Sequence, residues 1–170
     1  EIVWQLLGSG REVTVLSLEE PLPELRTHVA FLHANRRDGG AMKAALAGRS
    51  FDAVVDNIAY QPEDVSLLLA ALPGAIGRYL LTSTVDLYGH SLPRGYAEHQ
   101  APAAPAAKPG VSLGYGEGKR ACEQLLGGSG VPFTIVRPCI VGGRRDNVSS
   151  APSQQAILPD EALSRSMFYP

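Results

Sequence analysis

Cysteine is scarce in this chain of 170 residues, with Cys122 and Cys139 the only two. Their spacing suits neither a zinc site nor a disulfide framework, so both read as plain thiols of a reducing compartment, and a cytoplasmic protein is expected. Aromatics make up 6% and charged residues 19%, with a formal net charge of −2. So small a charge leaves no electrostatic footprint for nucleic acid or an anionic membrane surface, and neither partner is expected. No apolar run approaches the length of a membrane span, and no signal peptide is visible. What is present is a hydrophobic content of 45% in a length that suits one domain with a substantial core. Glu1-Ile-Val-Trp-Gln-Leu-Leu7 already reads as amphipathic helix and Met167-Phe-Tyr-Pro170 as a strand beginning, so both ends are expected to be cuts within a longer protein.

Gly8-Ser-Gly10 stops the first helix. Glu12–Leu16, His28–Leu32, Phe51–Val55, Arg78–Ser83 and Phe133–Val136 are short apolar strands. Between them, Asp38 caps a helix that ends at Gly48, and Pro62-Glu-Asp-Val65 opens another through Leu72. Tyr115 to Leu126 is a helix stopped by Gly127-Gly128, and 89–112 is a Pro/Ala-rich loop. The order α-β-β-α-β-α-β-α-β, with uniformly apolar strands, predicts an α/β fold: a doubly wound, Rossmann-like parallel sheet with helices on both faces. Ligands of such sheets bind beyond the carboxyl ends of the strands. Ser17, Asn35, Asn57, Thr82, Ser83, Thr84 and Pro138 gather at those ends.

Tyr115-Gly-Glu-Gly-Lys119 puts a phenol and an ammonium on one helix face. A tyrosine phenol titrates at about 10, and a nearby ammonium favours its phenolate. A threonine hydroxyl both donates and accepts, so it can hold a substrate oxygen while the proton moves. Alone, Tyr-x-x-x-Lys arises by chance about once in ten chains of this composition. The competing reading is an ordinary helix tyrosine beside a solvated lysine.

The ordered set Leu80-Leu-Thr-Ser-Thr-Val-Asp-Leu-Tyr-Gly89, Tyr115-Gly-Glu-Gly-Lys119 and Val136-Arg-Pro138 resembles the extended short-chain dehydrogenase/reductase family. Within it, the NAD-dependent epimerase/dehydratase branch is the nearer likeness, over residues 1 to 145. Phe51-Asp-Ala-Val-Val-Asp-Asn-Ile-Ala59 resembles that family's fourth strand and cofactor-lining turn. The resemblance implies hydride and proton transfer with NAD or NADP on a small-molecule substrate, most often a nucleotide sugar. It makes Tyr115 the acid-base, Thr84 (with Ser83 as backup) the hydroxyl partner, and Lys119 both the pKa tuner and a ribose ligand. Asp86 stands where sugar-nucleotide dehydratases use an acid; its other reading is a turn aspartate. Cofactor contacts are implied for Ser17, Asn35, Asn57, Ile58, Ala59, Thr82 and Pro138, with Arg36 or Arg37 open to a 2′-phosphate. A homodimer through residues 62–72 and 115–126 is implied as well.

Two departures from the family pattern accompany the likeness. Its Gly-rich turn, which cradles a pyrophosphate at a helix N-terminus, does not precede the first helix here. Gly8-Ser-Gly10 lies at the wrong end of that helix. A lost central strand, an exposed core seam and weak dinucleotide binding are therefore expected. Val148 to Gln155 has no helical stripe, so 1–141 reads as the dinucleotide-binding domain and 142–170 as part of a substrate domain. A non-catalytic nucleotide-sensing or RNA-associated relative, or an inactive fragment, is the alternative.

Overall fold

Local signals set the element boundaries. The computed structural model describes residues 1–88, 97–100, 112–139 and 141, so the expectations for most of 89–112 and for 142–170 lie outside the described residues. Helix α1 spans Ile2–Gly8 and unwinds as Gly10 turns left-handed at φ 71°, a conformation glycine takes without a Cβ clash. Strands β1 (Thr14–Ser17) and β2 (Ala30–His33) follow. Helix α2, Gly39–Leu46, starts where the Asp38 carboxylate accepts the N–H groups of Gly40 and Ala41 at 2.9 and 3.0 Å, an N-cap. Strand β3 is Ala53–Asp56, helix α3 Pro62–Ala71, strand β4 Arg78–Thr82, helix α4 Tyr115–Gly127 and strand β5 Phe133–Val136. The α/β order and the parallel pairing are as the sequence predicts.

The strands form two sheets. β1 pairs with β2 in parallel from Thr14 opposite Ala30 to Ser17 opposite His33. Separately, β3, β4 and β5 pair in parallel in that order. Among the described residues β1 and β3 thus each keep an unpaired edge, where a single doubly wound sheet would run through. Helices α2, α3 and α4 pack in a row. Tyr79 and Leu81 of β4 bury against α3 and α4 with Ala59, Val65, Cys122 and Leu126. Leu32, Ala34, Met42, Leu46 and Ala71 form a second cluster among β2, α2 and α3. Phe51, Leu68 and Leu72 pack against both clusters, so α3 joins the two sheets through its side chains. The opposite face of the larger sheet is more open, with Val136 43% exposed; α1 buries no residue fully.

One polar cluster also crosses the break. Arg36, just past β2, forks onto the Asp56 carboxylate at the end of β3, at 2.9 and 2.8 Å. The Tyr79 hydroxyl donates to the same carboxylate at 2.5 Å, and the Ile58 N–H at 3.1 Å. Burial alone would push the Asp56 carboxyl up, but the Arg36 fork and the Tyr79 hydroxyl outweigh it and hold it below the ordinary carboxylate value. Burial and the Asp56 charge push the Tyr79 phenol well above its ordinary value, so it stays a donor. Because Asp56 titrates lower folded than unfolded, its stabilisation is present above about pH 4 and is lost as pH falls through the depressed value. Asp56→Asn should cost about 3–5 kcal/mol at pH 7, since it removes the charge of one partner from a buried ion pair. In urea titrations the gap to wild type should shrink as pH falls; a gap that stays constant between pH 7 and 3 contradicts this role.

Candidate functional site

The carboxyl end of β4 carries three hydroxyls in a row, each in a different setting. Thr82 donates to Asn57 Oδ1 at 2.7 Å, tying the ends of β4 and β3 together. Ser83 continues the ladder through its N–H to the Val136 carbonyl at 2.7 Å. Its side chain is 2% exposed, and its hydroxyl has no hydrogen-bond partner among the described residues. The buried Thr84 hydroxyl accepts the Asp86 N–H at 3.1 Å, which turns the chain into the 3-10 turn Val85–Tyr88. That bond leaves the Thr84 hydroxyl proton free to donate elsewhere. Val85 N–H reaches the Pro138 carbonyl at 3.2 Å, which brings the third motif alongside.

Tyr115 is the first residue of α4 and is 50% exposed. Lys119, one turn on, is 1% exposed, and its Nζ donates to the Thr82 carbonyl at 2.7 Å. Burial lowers this ammonium below the ordinary lysine value, against the opposing pull of the Asp56 and Asp64 charges. Cys122, one turn further, is pushed up to about 12 by burial and stays a thiol. The solvated lysine of the competing reading is therefore absent.

α4 is seated by its lack of side chains as much as by its contacts. A Cβ on Gly118 would lie 2.2 Å from the Tyr60 carbonyl oxygen, and one on Gly116 would lie 3.3 Å from that of Asp86. Gln61 locks the approach, its side-chain amide donating to the Leu113 carbonyl at 3.1 Å and accepting the Leu113 N–H at 3.0 Å. Arg120 donates to the Leu87 carbonyl. Arg137 holds Glu123 through two bonds of 2.9 and 2.7 Å and donates to the Tyr88 hydroxyl. The Glu123 bond, then the Tyr88 bond, raises the Arg137 guanidinium above its ordinary value against the cost of burial. The three motifs that stand apart in sequence are one packed unit.

The other predicted positions divide. Asn57, Ile58 and Pro138 stand at the strand ends beside this unit, with Ile58 half exposed. Ser17 and Asn35 engage their own loops: Ser17 Oγ accepts the Glu19 N–H and Asn35 Oδ1 that of Arg37, both at 3.0 Å. Arg36 is engaged: Asp56 holds its guanidinium and the Asp64 carbonyl accepts from it at 3.2 Å. Ala59 is fully buried in the core against Val65 and Tyr79. The exposed Asp86 contributes its N–H to the turn. Sequence reading passed over Tyr60, whose ring centroid lies 4.6 Å from Lys119 Nζ and 6.0 Å from that of Tyr115. The only signal for it was its place directly after Asn57-Ile-Ala59.

No protein-family model and no curated protein matches the chain. Solved structures do. A presumed epimerase from Burkholderia cenocepacia J2315 is 26% identical with a TM-score of 0.61, over 81% of this chain and 49% of that one. A presumed NAD-dependent epimerase/dehydratase from Methylobacillus flagellatus is 21% identical with a TM-score of 0.60, over 80% and 48%. This chain has the Rossmann-like α/β fold of these structures. UDP-glucose 4-epimerase from Bifidobacterium longum, solved with NAD+ and UDP, shares that fold at 15% identity and a TM-score of 0.57, over 79% and 48%. The chain spans about half the length of these epimerase/dehydratase-fold structures.

Within this fold the seat of α4 is directly testable. Gly118→Ala should destabilise by about 1–3 kcal/mol through overpacking against the Tyr60 carbonyl. Gly127→Ala, where an added Cβ meets nothing within 4 Å, should be neutral or stabilising by up to about 1 kcal/mol. Equal urea midpoints for the two variants would contradict the close approach.

Proposed function

We propose that this chain carries the proton-transfer part of an NAD(P)-dependent epimerase, dehydratase or reductase site. Its substrate is the alcohol or carbonyl of a nucleotide sugar or a similar small molecule. The observation that carries the reading is the arrangement at the strand ends. A half-exposed Tyr115 stands one helical turn from a wholly buried Lys119, and the Lys119 ammonium is bonded to the main chain of the Thr82-Ser83-Thr84 end. Tyr115 passes the proton to or from the substrate oxygen, and the Thr84 hydroxyl, whose proton its turn leaves unused, holds that oxygen. Lys119 supplies positive charge behind the phenol.

NAD or NADP, when bound, supplies the hydride acceptor or donor. The Lys119 ammonium, the Asn57–Thr82 pair, the orphaned Ser83 hydroxyl and Pro138 fit the polar and apolar demands of a nicotinamide ribose. Ser17, Asn35 and Arg36 are engaged by other residues of the chain, so the nicotinamide end of the site is the better formed one. The nucleotide-sugar assignment draws support from the UDP-bound epimerase that shares the fold.

Thermal-shift titration of the chain should show saturable stabilisation by NAD or NADP. At tenfold above Kd the gain is about 1.4 kcal/mol, a Tm rise of roughly 3–6 °C. Tyr115→Phe should keep that shift while lowering substrate-dependent turnover by roughly 10²–10⁴. No shift at any concentration would contradict the cofactor, and retained turnover would contradict the role of Tyr115.

A further inference from the structure

Lys119 presents a physical problem that the proton-transfer reading leaves open. Its ammonium is almost wholly buried, it has three N–H donors, and no carboxylate makes an ion pair with it among the described residues. The Thr82 carbonyl takes one donor. Asp56 is bound by Arg36 and Tyr79. Asp64 accepts the Tyr60 and Gln61 N–H groups at 2.8 and 3.0 Å. A buried ammonium so placed would lose its proton or its position unless something else met its charge.

The remaining neighbour is the face of Tyr60, 4.6 Å from Nζ at the ring centroid, within the range of a cation–π contact. The same ring stands 6.0 Å from that of Tyr115 at an interplanar angle of 46°. Its backbone is held on both sides. The N–H is bonded to Asp64, the carbonyl lies against Gly118, and the next residue clamps Leu113 ahead of α4. The backbone that carries the ring is thus fixed before any ligand arrives, and this side chain, 44% exposed, lies against both members of the Tyr-x-x-x-Lys pair.

The geometry points to Tyr60 as a positioning residue for proton transfer: its ring face holds the Lys119 ammonium charged and in place, and the same ring, tilted against Tyr115, keeps the phenol aligned. This rests on the reading of Tyr115 and Lys119 given above. The phenolic oxygen of Tyr60 is not used; the aromatic face does the holding. Tyr60→Phe should therefore preserve the function and Tyr60→Leu should remove it. The charged and titratable groups around Lys119 are Cys122 on its own helix, Asp56 at the end of β3, Asp64 on α3, Arg36, and the two tyrosines. None of them is altered by these substitutions except Tyr60 itself.

The test is NMR of the full chain labelled with 13C at lysine Cε, the Lys119 signal being identified by its loss in Lys119→Arg. In wild type the Lys119 ε-methylene should be shifted upfield by the ring current of Tyr60. In Tyr60→Phe the titration of Lys119 should match wild type, and in Tyr60→Leu it should move to lower pH, because the ammonium has lost its aromatic partner. In turnover assays kcat should fall about tenfold for Tyr60→Leu, with the cofactor KM within about twofold of wild type, and Tyr60→Phe should restore kcat. An unchanged Lys119 titration in Tyr60→Leu overturns the proposal whatever the activity. If the Leu variant does not fold, an ε-methylene at ordinary lysine shifts in wild type overturns it instead. Loss of the ring-current signature with full turnover would also overturn it. The expected titrations in a wild type that turns over no alcohol or carbonyl substrate would defeat the functional reading alone and leave the ring–ammonium contact standing.

Discussion

The Asp56 carboxylate is the constraint on which the arrangement depends. The described residues form two parallel sheets with no strand pairing between them. A buried carboxylate at the end of β3 reaches across to Arg36 beyond β2 and sideways to Tyr79 on β4. Removing such a group from water is costly, and only a full set of partners offsets it. Here the set is full. The fork, the phenol and the Ile58 N–H use the carboxylate's acceptor sites, and the charge sits below its ordinary titration range as a result. The same carboxylate shapes the turn after β3, so the element that joins the sheets also sets where Asn57 and Tyr60 stand.

From that turn the site follows by close approach. Tyr60's carbonyl lies against Gly118, a position where a Cβ would stand 2.2 Å away. α4 therefore comes nearer to the turn than two ordinary backbones could. The proximity brings the Lys119 ammonium to the Thr82 carbonyl and to the Tyr60 ring. On the other side of the helix, Arg137, Glu123, Tyr88 and Arg120 fasten α4 to the Thr84 turn and the end of β5. A proton-transfer group needs its partners held before substrate arrives, and these contacts hold the Tyr115 helix without any of them being a reacting group.

Much of this was legible in the sequence, for reasons that differ by residue. Asp38, Pro62 and Gly10 announce helix ends because capping and left-handed turns demand particular side chains, and the elements begin and stop where they stand. Thr82 to Thr84 and Tyr115-x-x-x-Lys119 were visible because strand ends and helical spacing follow directly from chain order. The Arg36–Asp56 fork is not legible in the sequence, because the two residues lie 20 positions apart and Asp56 simply follows an apolar strand. Tyr60 was missed because a cation–π contact has no spacing rule. Its significance appears only once Gly118 brings α4 against it.

The central claim is that the ends of β3 and β4 with the first turns of α4 form the nicotinamide end of a proton-transfer site. Its most direct test is titration of the 15N-labelled chain with nicotinamide mononucleotide, which carries the nicotinamide ribose but no pyrophosphate or adenosine. Amide shifts should be confined to residues 57–60, 82–88 and 115–119 and should saturate, and Tyr115→Phe should not abolish them. Shifts centred on Ser17, Asn35 and Arg37, or none at millimolar ligand, would contradict the account.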